Sequence, residues 1–229
     1  DSIFIGDLES DALTRPKPHI PDAMRRKADL VARADGTCVM ASLNWCGLSA
    51  MQSLRRSCDL AIHGHRNGFG MLERQPGLGM SFDAYQTLWR LTGIDQLHVN
   101  GVDGKFSEAN ASIAAAARAC LAPLAGADAI MPVFSSGQWA GTAPATFAAA
   151  GSADLMFLAG GGILGHPGGP QAGVESIREA WNAVLAGRTR APAGAFSNVP
   201  FGVSITRIGP APACLFATAT WMPRASQLA

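Results

Sequence analysis

The sequence predicts an α/β fold in which short buried strands alternate with helices. Its 229 residues, 48% of them hydrophobic, are enough to build one sizeable core. From residue 36 to residue 187 a short apolar run is repeatedly followed by Gly or Ser and then by a stretch with helical spacing. This alternation is typical of a parallel sheet that is covered by crossover helices and binds its ligands at the carboxyl ends of the strands.

Five apolar runs are short enough to be buried strands. A closed barrel of eight βα units has about 250 residues. About five clear βα units therefore predict an α/β fold of the (β/α)8 TIM-barrel type that is incomplete in this chain. The five runs are CVMASLNW (38–45), DLAIHGH (59–65), DQLHVNG (95–101), AIMPVFSSG (129–137) and DLMFLAGGG (154–162).

Four stretches between or before these runs predict helices. Ser81 is the expected N-cap of one helix, Gly93 its stop signal, and Asn110 the cap of the next. Each stretch carries apolar residues at helical spacing or a high content of Ala. The stretches are PDAMRRKADLVARADG (21–36), SFDAYQTLWRLTG (81–93), NASIAAAARACLAPL (110–124) and GVESIREAWNAVLAG (173–187).

The pattern divides the chain into three parts. Residues 21–187 form the predicted barrel domain. Residues 1–20 offer only SIFIG as a weak strand and are interpreted as a remnant or linker. Residues 188–229 are rich in Ala, Pro and Gly and form a tail of undefined structure that includes two β-like runs, FGVSITRI and CLFATATW.

Charge and cysteine content narrow the class of protein. A net charge of +1 gives no global field that would attract nucleic acid or a membrane surface, so an acidic ligand must be held by local groups. The five cysteines are odd in number and form no CxxC pair, which argues against a disulfide framework. The N-terminus lacks signal-peptide features and no apolar run could span a bilayer. We expect a cytoplasmic protein.

The stretch HGHRNGFG (63–70) carries the first group of candidate functional residues. Side chains alternate along a strand, so His63 and His65 point to the same face. Arg66 follows at the strand's exit, and the two glycines behind it allow a tight turn or a close approach to a ligand. A metal site, an anion site and ordinary packing are all compatible with this stretch alone.

Two glycine-containing turns follow later strands and predict an anion site. AGGGILGHPGG (159–169) leaves backbone amides unshielded after a strand, and SSG (135–137) ends the preceding strand in the same manner. Phosphate is commonly held by such amides at the end of late barrel strands. Two adjacent βα loops would then cradle one phosphate, although GGG alone could be a tight turn and His166 could bond to the backbone behind it.

HVNGVDGKF (98–106) carries a third group. His98 lies near a strand end, and Lys105 stands in a loop bracketed by Gly101 and Gly104. Such a loop can close over a substrate and bring a cation to developing negative charge. The alternative is a solvated surface lysine.

These motifs together resemble the barrel domain of the ribulose bisphosphate carboxylase (RuBisCO) large chain, and more closely the RuBisCO-like proteins. The resemblance covers about residues 36–187, with the motifs in the family's order. The matching positions are His63, His65 and Arg66 in HxHR; Gly104 and Lys105, after His98, in a loop ending in GK; Ser135, Ser136 and Gly137 in an SGG-like turn; and Gly160, Gly161, Gly162, Gly165, His166, Pro167 and Gly169 in GGGxxGHPxG.

The resemblance implies roles for these residues. His65 would assist proton transfer, and Lys105 would contact the group being transferred, so these two are the predicted catalytic residues. The implied ligand is a phosphorylated sugar, and the implied assembly is a homodimer or a barrel completed by another chain. The residues expected to bind substrate or phosphate are Arg66, His98, Ser135, Ser136, Gly137, Gly160 and Gly161.

The resemblance also implies Mg²⁺, which in this family polarises an enediolate. The family's metal ligands lie in a KDDE-like run, for which FIGDLE (4–9) is the candidate here, with Gly6 in place of the lysine and Glu9 as the one matching ligand. The KPxxG lysine that serves the family as a base has no match in this sequence.

The leading functional hypothesis is a RuBisCO-like protein that performs magnesium-assisted enolate chemistry on a phosphorylated sugar or sugar acid. The reaction would be carboxylation, decarboxylation or isomerisation. Because the lysine base and most metal ligands are missing, a non-catalytic pseudoenzyme or structural subunit is an alternative. A second alternative is a metal-dependent hydrolase that uses His63 and His65 as an HxH pair, with Lys105 and His166 as later ligands.

Overall fold

The computed structural model describes residues 5–7, 20–75, 77, 79–106, 108–187, 205–208 and 215–216. The chain divides into two compact units. Unit 1 comprises Asp1–Val99 and Ala111–Val133, and unit 2 comprises Asn100–Asn110 and Phe134–Ala229. Strands and helices alternate through both units, which confirms the predicted α/β class.

Most strands and helices of the first half of the chain belong to unit 1. The last two strands listed here end in unit 2, and the last helix takes its first residue from unit 2. The strands are β1 (Ile5–Asp7), β2 (Cys38–Ser42), β3 (Ala61–His65), β4 (Gln96–Asn100) and β5 (Met131–Ser135), and the helices are α1 (Ile20–Arg33), α2 (Leu43–Cys46), α3 (Leu48–Arg55), α4 (Gly70–Glu73), α5 (Phe82–Arg90) and α6 (Asn110–Leu121).

The strands of unit 1 pair in chain order. β1 pairs with β2, β2 with β3 and β3 with β4, all in parallel. The backbone N–H of Met131, at the start of β5, donates to the carbonyl of Asp95 beside β4 at 2.9 Å. Val39, Ile62 and Leu97 on three successive strands are fully buried. Near-continuous burial is expected of parallel strands, because crossover helices cover them.

Helix α5 shows how the sequence sets a helix boundary in unit 1. The Ser81 hydroxyl accepts a hydrogen bond from the Ala84 N–H at 3.3 Å, as predicted for an N-cap. Behind the helix Gly93 adopts φ 86°, a conformation that glycine takes at little cost. Tyr85 and Trp89, one helical turn apart, are buried with their ring centroids 5.8 Å apart.

In unit 2, as in unit 1, strands and helices follow one another along the chain. The rings of Phe157 on the strand and Trp181 on the last helix meet edge to face, with 5.3 Å between centroids. The elements are a 3-10 helix (Ala140–Thr142), α7 (Ala143–Ala150), β6 (Leu155–Leu158), α8 (Gly161–Leu164), α9 (Gly169–Leu185), β7 (Ile205–Ile208) and β8 (Leu215–Phe216). Strand β6 pairs with β7, and β7 pairs with β8, both in antiparallel orientation.

Two helix starts differ from the sequence-based expectation. Helix α9 begins at Gly169, four residues before the predicted start, because Pro170 fits the first turn of a helix. Asn110 is the first residue of α6, and its side chain bonds to Asp103 in the preceding loop.

Two further expectations can be compared with the described part of the chain. The runs FGVSITRI and CLFATATW contribute β7 and β8, whereas most of residues 1–20 and 188–229 lie outside the described residues. No helix in the described ranges is both long and apolar enough to cross a membrane.

Candidate active site

Three histidines meet at one face of the sheet in unit 1. The register pairs His63 on β3 with Gln96 on β4. Because side chains alternate along a strand, His65 and His98, two residues further on, share the face of His63. The ring centroids of His98 and His65 are 4.4 Å apart, and those of His98 and His63 are 4.9 Å apart. The predicted common orientation of His63 and His65 agrees with this geometry.

A hydrogen-bond chain links two of these rings to Gln96. His63 Nδ1 lies 3.1 Å from Gln96 Oε1, and His63 Nε2 lies 2.8 Å from His98 Nδ1. His63 is 1% exposed, and burial lowers its pKa to about 4. Burial, followed by the neighbouring His63, His65 and Arg66, also lowers the pKa of His98 well below its usual value. Both rings are therefore neutral near pH 7.

The loop after β3 orients His65. The Asn67 backbone N–H donates to His65 Nδ1 at 3.0 Å. Asn67 is held in turn by β2 and α2. Its side chain bonds to the hydroxyl of Ser42, the last residue of β2, and its carbonyl accepts from the amide of Asn44 on α2 at 2.7 Å. Because Nδ1 accepts this bond, the His65 ring carries its proton on Nε2.

Arg66 leaves the strand beside this cluster, as the sequence predicts, but its side chain is 9% exposed. The guanidinium carbon lies 4.8 Å from the ring centroid of Phe82 and 5.3 Å from that of Phe69. A guanidinium stacked on aromatic faces keeps its N–H groups in its own plane. Those groups are the ones that bind a phosphate or carboxylate.

In unit 2 the SSG turn supports the loop that carries Lys105. Ser136 and Gly137 both have positive φ values, 73° and 84°, and a positive φ is uncommon for a residue other than glycine. The Lys105 N–H donates to the Ser136 carbonyl at 3.3 Å. A Cβ atom at Gly104 would lie 2.6 Å from the same carbonyl, so only glycine permits this approach. The Ser135 and Ser136 hydroxyls are 3.4 Å apart.

Gln138 fixes the base of the Lys105 loop. Its Nε2 donates to the Val102 carbonyl at 3.1 Å, and its Oε1 accepts from the Thr142 and Thr146 hydroxyls, each at 3.1 Å. A side chain at Gly101 would collide with this amide. At the other end of the loop Lys105 is exposed. The alternative interpretation, a solvated surface lysine, is also compatible with this exposure.

The GGG turn of unit 2 opens α8. Gly160 and Gly161 are buried, and a Cβ atom at Gly162 would lie 2.6 Å from the Gln138 carbonyl. The SSG and GGG turns are thus adjacent, and a ligand shared by the two loops stays a prediction. His166 accepts from the Gly168 N–H at 3.1 Å, which is the local backbone bond considered as its alternative role.

The metal predictions are not supported by the described side chains. No group of three or more His, Cys, Asp or Glu within the described ranges could hold a metal ion. Glu9, the predicted magnesium ligand, lies outside those ranges. In the hydrolase alternative His63 would bind the metal, but both of its ring nitrogens are engaged by Gln96 and His98.

Three residues of the two clusters did not stand out in the sequence. Gln96 precedes His98 by two positions, so period-2 alternation could have placed a polar group on the same face. Asn67 directly follows the HxHR motif. Gln138 directly follows the SSG turn and is 1% exposed. Only spatial neighbours distinguish it from an ordinary turn residue.

The fold and these residues define an α/β protein of the barrel type whose polar side chains follow the carboxyl ends of its strands. A family model described as the ribulose bisphosphate carboxylase large chain, catalytic domain, matches residues 18–198. The chain belongs to this family, as the motifs predicted.

Similar proteins include both RuBisCO-like proteins and carboxylases. A 3-oxo-isoapionate-4-phosphate transcarboxylase/hydrolase of Xanthobacter autotrophicus is 56% identical over 180 residues, which are 75% of this chain and 44% of the relative. A 3-oxo-isoapionate-4-phosphate decarboxylase of Rhizobium etli is 46% identical over 169 residues, 73% and 40% of the two chains. The ribulose bisphosphate carboxylase of Pyrococcus furiosus is 34% identical over 169 residues, 72% and 40%.

Solved structures give the same relationship. A RuBisCO-like protein from Burkholderia fungorum matches with a TM-score of 0.71 and 60% identity over 73% of this chain and 42% of its own. The octameric RuBisCO of Pyrococcus horikoshii matches with a TM-score of 0.69 and 32% identity over 75% and 40%. The chain spans about two fifths of the length of these relatives, and its identity to the Burkholderia RuBisCO-like protein is higher than its identity to either Pyrococcus carboxylase.

Proposed function

We propose that the protein binds a phosphorylated 3-oxo sugar acid and removes or transfers its carboxyl group through an enolate. The observation that carries the proposal is the neutral histidine cluster beside a stacked arginine in unit 1. The names of the Xanthobacter and Rhizobium relatives support this substrate class, because both act on 3-oxo-isoapionate-4-phosphate.

Substrate binding is assigned to individual residues by their match to the family motifs. Arg66 binds a phosphate or carboxylate through the in-plane N–H groups of its guanidinium. Ser135 and Ser136 donate their hydroxyls to a phosphate, and Gly137, Gly160 and Gly161 let the backbone approach it closely. His98 binds a hydroxyl of the sugar. These assignments rest on the family motifs.

The chemistry follows from the structure of a 3-oxo acid. When the bond between the carboxyl carbon and C2 breaks, its electron pair forms an enolate over C2, C3 and the 3-oxo oxygen, and carbon dioxide leaves. Lys105 stabilises the negative charge that develops in this step. His65, which is a donor through Nε2–H when neutral, delivers the proton that C2 gains afterwards.

Mg²⁺ belongs to the proposal on the strength of the family alone. It would supply Lewis-acid stabilisation of the enolate oxygen. Because the described side chains contain no fitting set of metal ligands, each binding and catalytic role is assigned to a residue of this chain.

We also propose that the protein is cytoplasmic and works as a homodimer or with another chain that completes its site. The solved relatives include an octameric RuBisCO from Pyrococcus horikoshii and a dimeric one from Hyperthermus butylicus, which support self-association.

The proposal is tested by measuring carbon dioxide release from a 3-oxo sugar acid phosphate. We expect turnover by the wild type and a loss of at least about tenfold in kcat/KM for Arg66→Gln and for Lys105→Met. Arg178→Gln removes one positive charge from an exposed position on α9 and serves as the matched control. It should leave kcat/KM unchanged.

Two results would contradict the proposal. Binding of the phosphate without turnover would identify the protein as the non-catalytic alternative. Equal losses in Arg66→Gln and Arg178→Gln would show that net charge, rather than the stacked guanidinium, governs binding.

A further inference from the structure

The loop that carries Lys105 contains an uncommon backbone conformation two residues before the lysine. Three residues other than glycine have a positive φ in the described part of the chain, namely Asp35, Asp103 and Ser136. Asp103, with φ 49°, lies in the loop itself, and the Ser136 carbonyl accepts from the Lys105 N–H at 3.3 Å. Such conformations persist where surrounding contacts hold them, and they concentrate at functional sites.

Asn110 holds Asp103 through two hydrogen bonds. The Asp103 N–H donates to Asn110 Oδ1 at 3.0 Å, and Asn110 Nδ2 donates to Asp103 Oδ1 at 2.8 Å. The orientation of the Asn110 amide follows from these partners, because a backbone N–H only donates and an ionised carboxylate only accepts. A further bond, from Asn100 Nδ2 to Glu108 Oε2 at 2.5 Å, joins the end of β4 to the same loop.

These contacts fix the backbone that leads to the lysine. The N–H groups of Asp103, Gly104 and Lys105 all have an acceptor within unit 2. The side chain of Lys105 is exposed, whereas the backbone that carries it is held at each of these three residues. A backbone that is ordered in advance loses less conformational entropy when the ammonium group meets developing negative charge.

We propose that Asp103 and Asn110 are positioning residues that preorganise the Lys105 loop, a step that rests on the role given to Lys105 in the proposed function. They act through the backbone of the loop and do not touch the substrate. Because Lys105 stabilises charge that develops during the reaction, loss of the pair should lower kcat and leave KM nearly unchanged.

Exchanging the two side chains tests the pair. Asn110→Asp keeps a side chain suited to the start of α6 but sets a second carboxylate against Asp103. In the double variant Asp103→Asn/Asn110→Asp the new carboxylate accepts from the new amide and from the backbone N–H at position 103. Both hydrogen bonds and the wild-type net charge are thereby restored, and asparagine also tolerates a positive φ. Asn182→Asp makes the same chemical change at an exposed position on α9 of this unit and is the matched control.

Two measurements at pH 7.5 follow these variants, amide hydrogen exchange by NMR and turnover of the 3-oxo sugar acid phosphate. In Asn110→Asp we expect the amide at position 103 to exchange at least about tenfold faster. The same variant should lower kcat at least about fivefold and change KM by less than about twofold. The double variant should return each value to within about twofold of the wild type, and Asn182→Asp should change none of them.

Wild-type exchange or wild-type kcat in Asn110→Asp would overturn the proposal. A double variant as impaired as Asn110→Asp would also overturn it, because restored hydrogen bonds should restore the loop. If the exchange rates follow the prediction but the wild type shows no turnover, the proposed function fails, while the hold of Asn110 on the loop stands.

Discussion

Replacing Gln138 with methionine tests how the Lys105 loop is held. The substitution keeps the length of the side chain but removes the amide. Thr142 and Thr146 retain other acceptors, because their hydroxyl oxygens lie 2.9 and 2.8 Å from the carbonyls of Trp139 and Thr142 and can donate there instead. The Val102 carbonyl loses the side-chain donor at 3.1 Å and remains buried. A buried carbonyl without a donor costs about 1–3 kcal/mol.

We therefore expect Gln138→Met to lower the free energy of unfolding by about 2 kcal/mol. Urea denaturation at pH 7 measures this change, and hydrogen exchange should show faster exchange of the backbone amides of residues 101–105. Gln171→Met, at an exposed position on α9 of the same unit, is the control and should change stability by less than about 0.5 kcal/mol. Equal stability of Gln138→Met and wild type, or equal losses in the two variants, would refute the reasoning.

Three further predictions concern the same two clusters. Gly101→Ala should destabilise the protein by about 1–3 kcal/mol in urea denaturation, because its Cβ atom would collide with neighbouring groups, whereas Gly77→Ala, with open space around it, should not. The pKa of His63 is lowered from 6.5 to about 4, so the unfolded chain binds more protons between these values. Stability is therefore complete above pH 6.5 and should fall toward pH 4 by up to roughly 3 kcal/mol, a loss that His63→Gln should reduce. Ser136→Gly relieves a positive φ of 73° and should raise the melting temperature; a lower one would argue against strain at this residue.

The fold was predictable wherever one local pattern determined it. Period-2 alternation gave His63 and His65 a common face, and the Ser81 cap set the start of α5. The predicted start of α9 was wrong, because the predicted stretch began at Gly173 and left out Pro170, which is compatible with the first turn of a helix.

The candidate site was predictable only in part. The motif residues within each unit lie close together. The residues that support them, however, contact them from a neighbouring strand or loop. Gln96 meets His63 only because parallel β3 and β4 pair in a particular register. Gln138 meets Val102 across 36 positions of sequence. Period-2 alternation can place Gln96 on the face of His98, but which partner each glutamine contacts depends on tertiary structure.

The central claim is that the protein forms an enolate from a phosphorylated 3-oxo sugar acid. Mass spectrometry of the product formed in D₂O tests it most directly. If the enolate is protonated from solvent through the protein, the decarboxylated product carries one deuterium at the carbon that lost the carboxyl group. Recovery of unchanged substrate, or release of inorganic phosphate without carbon dioxide, would contradict the account.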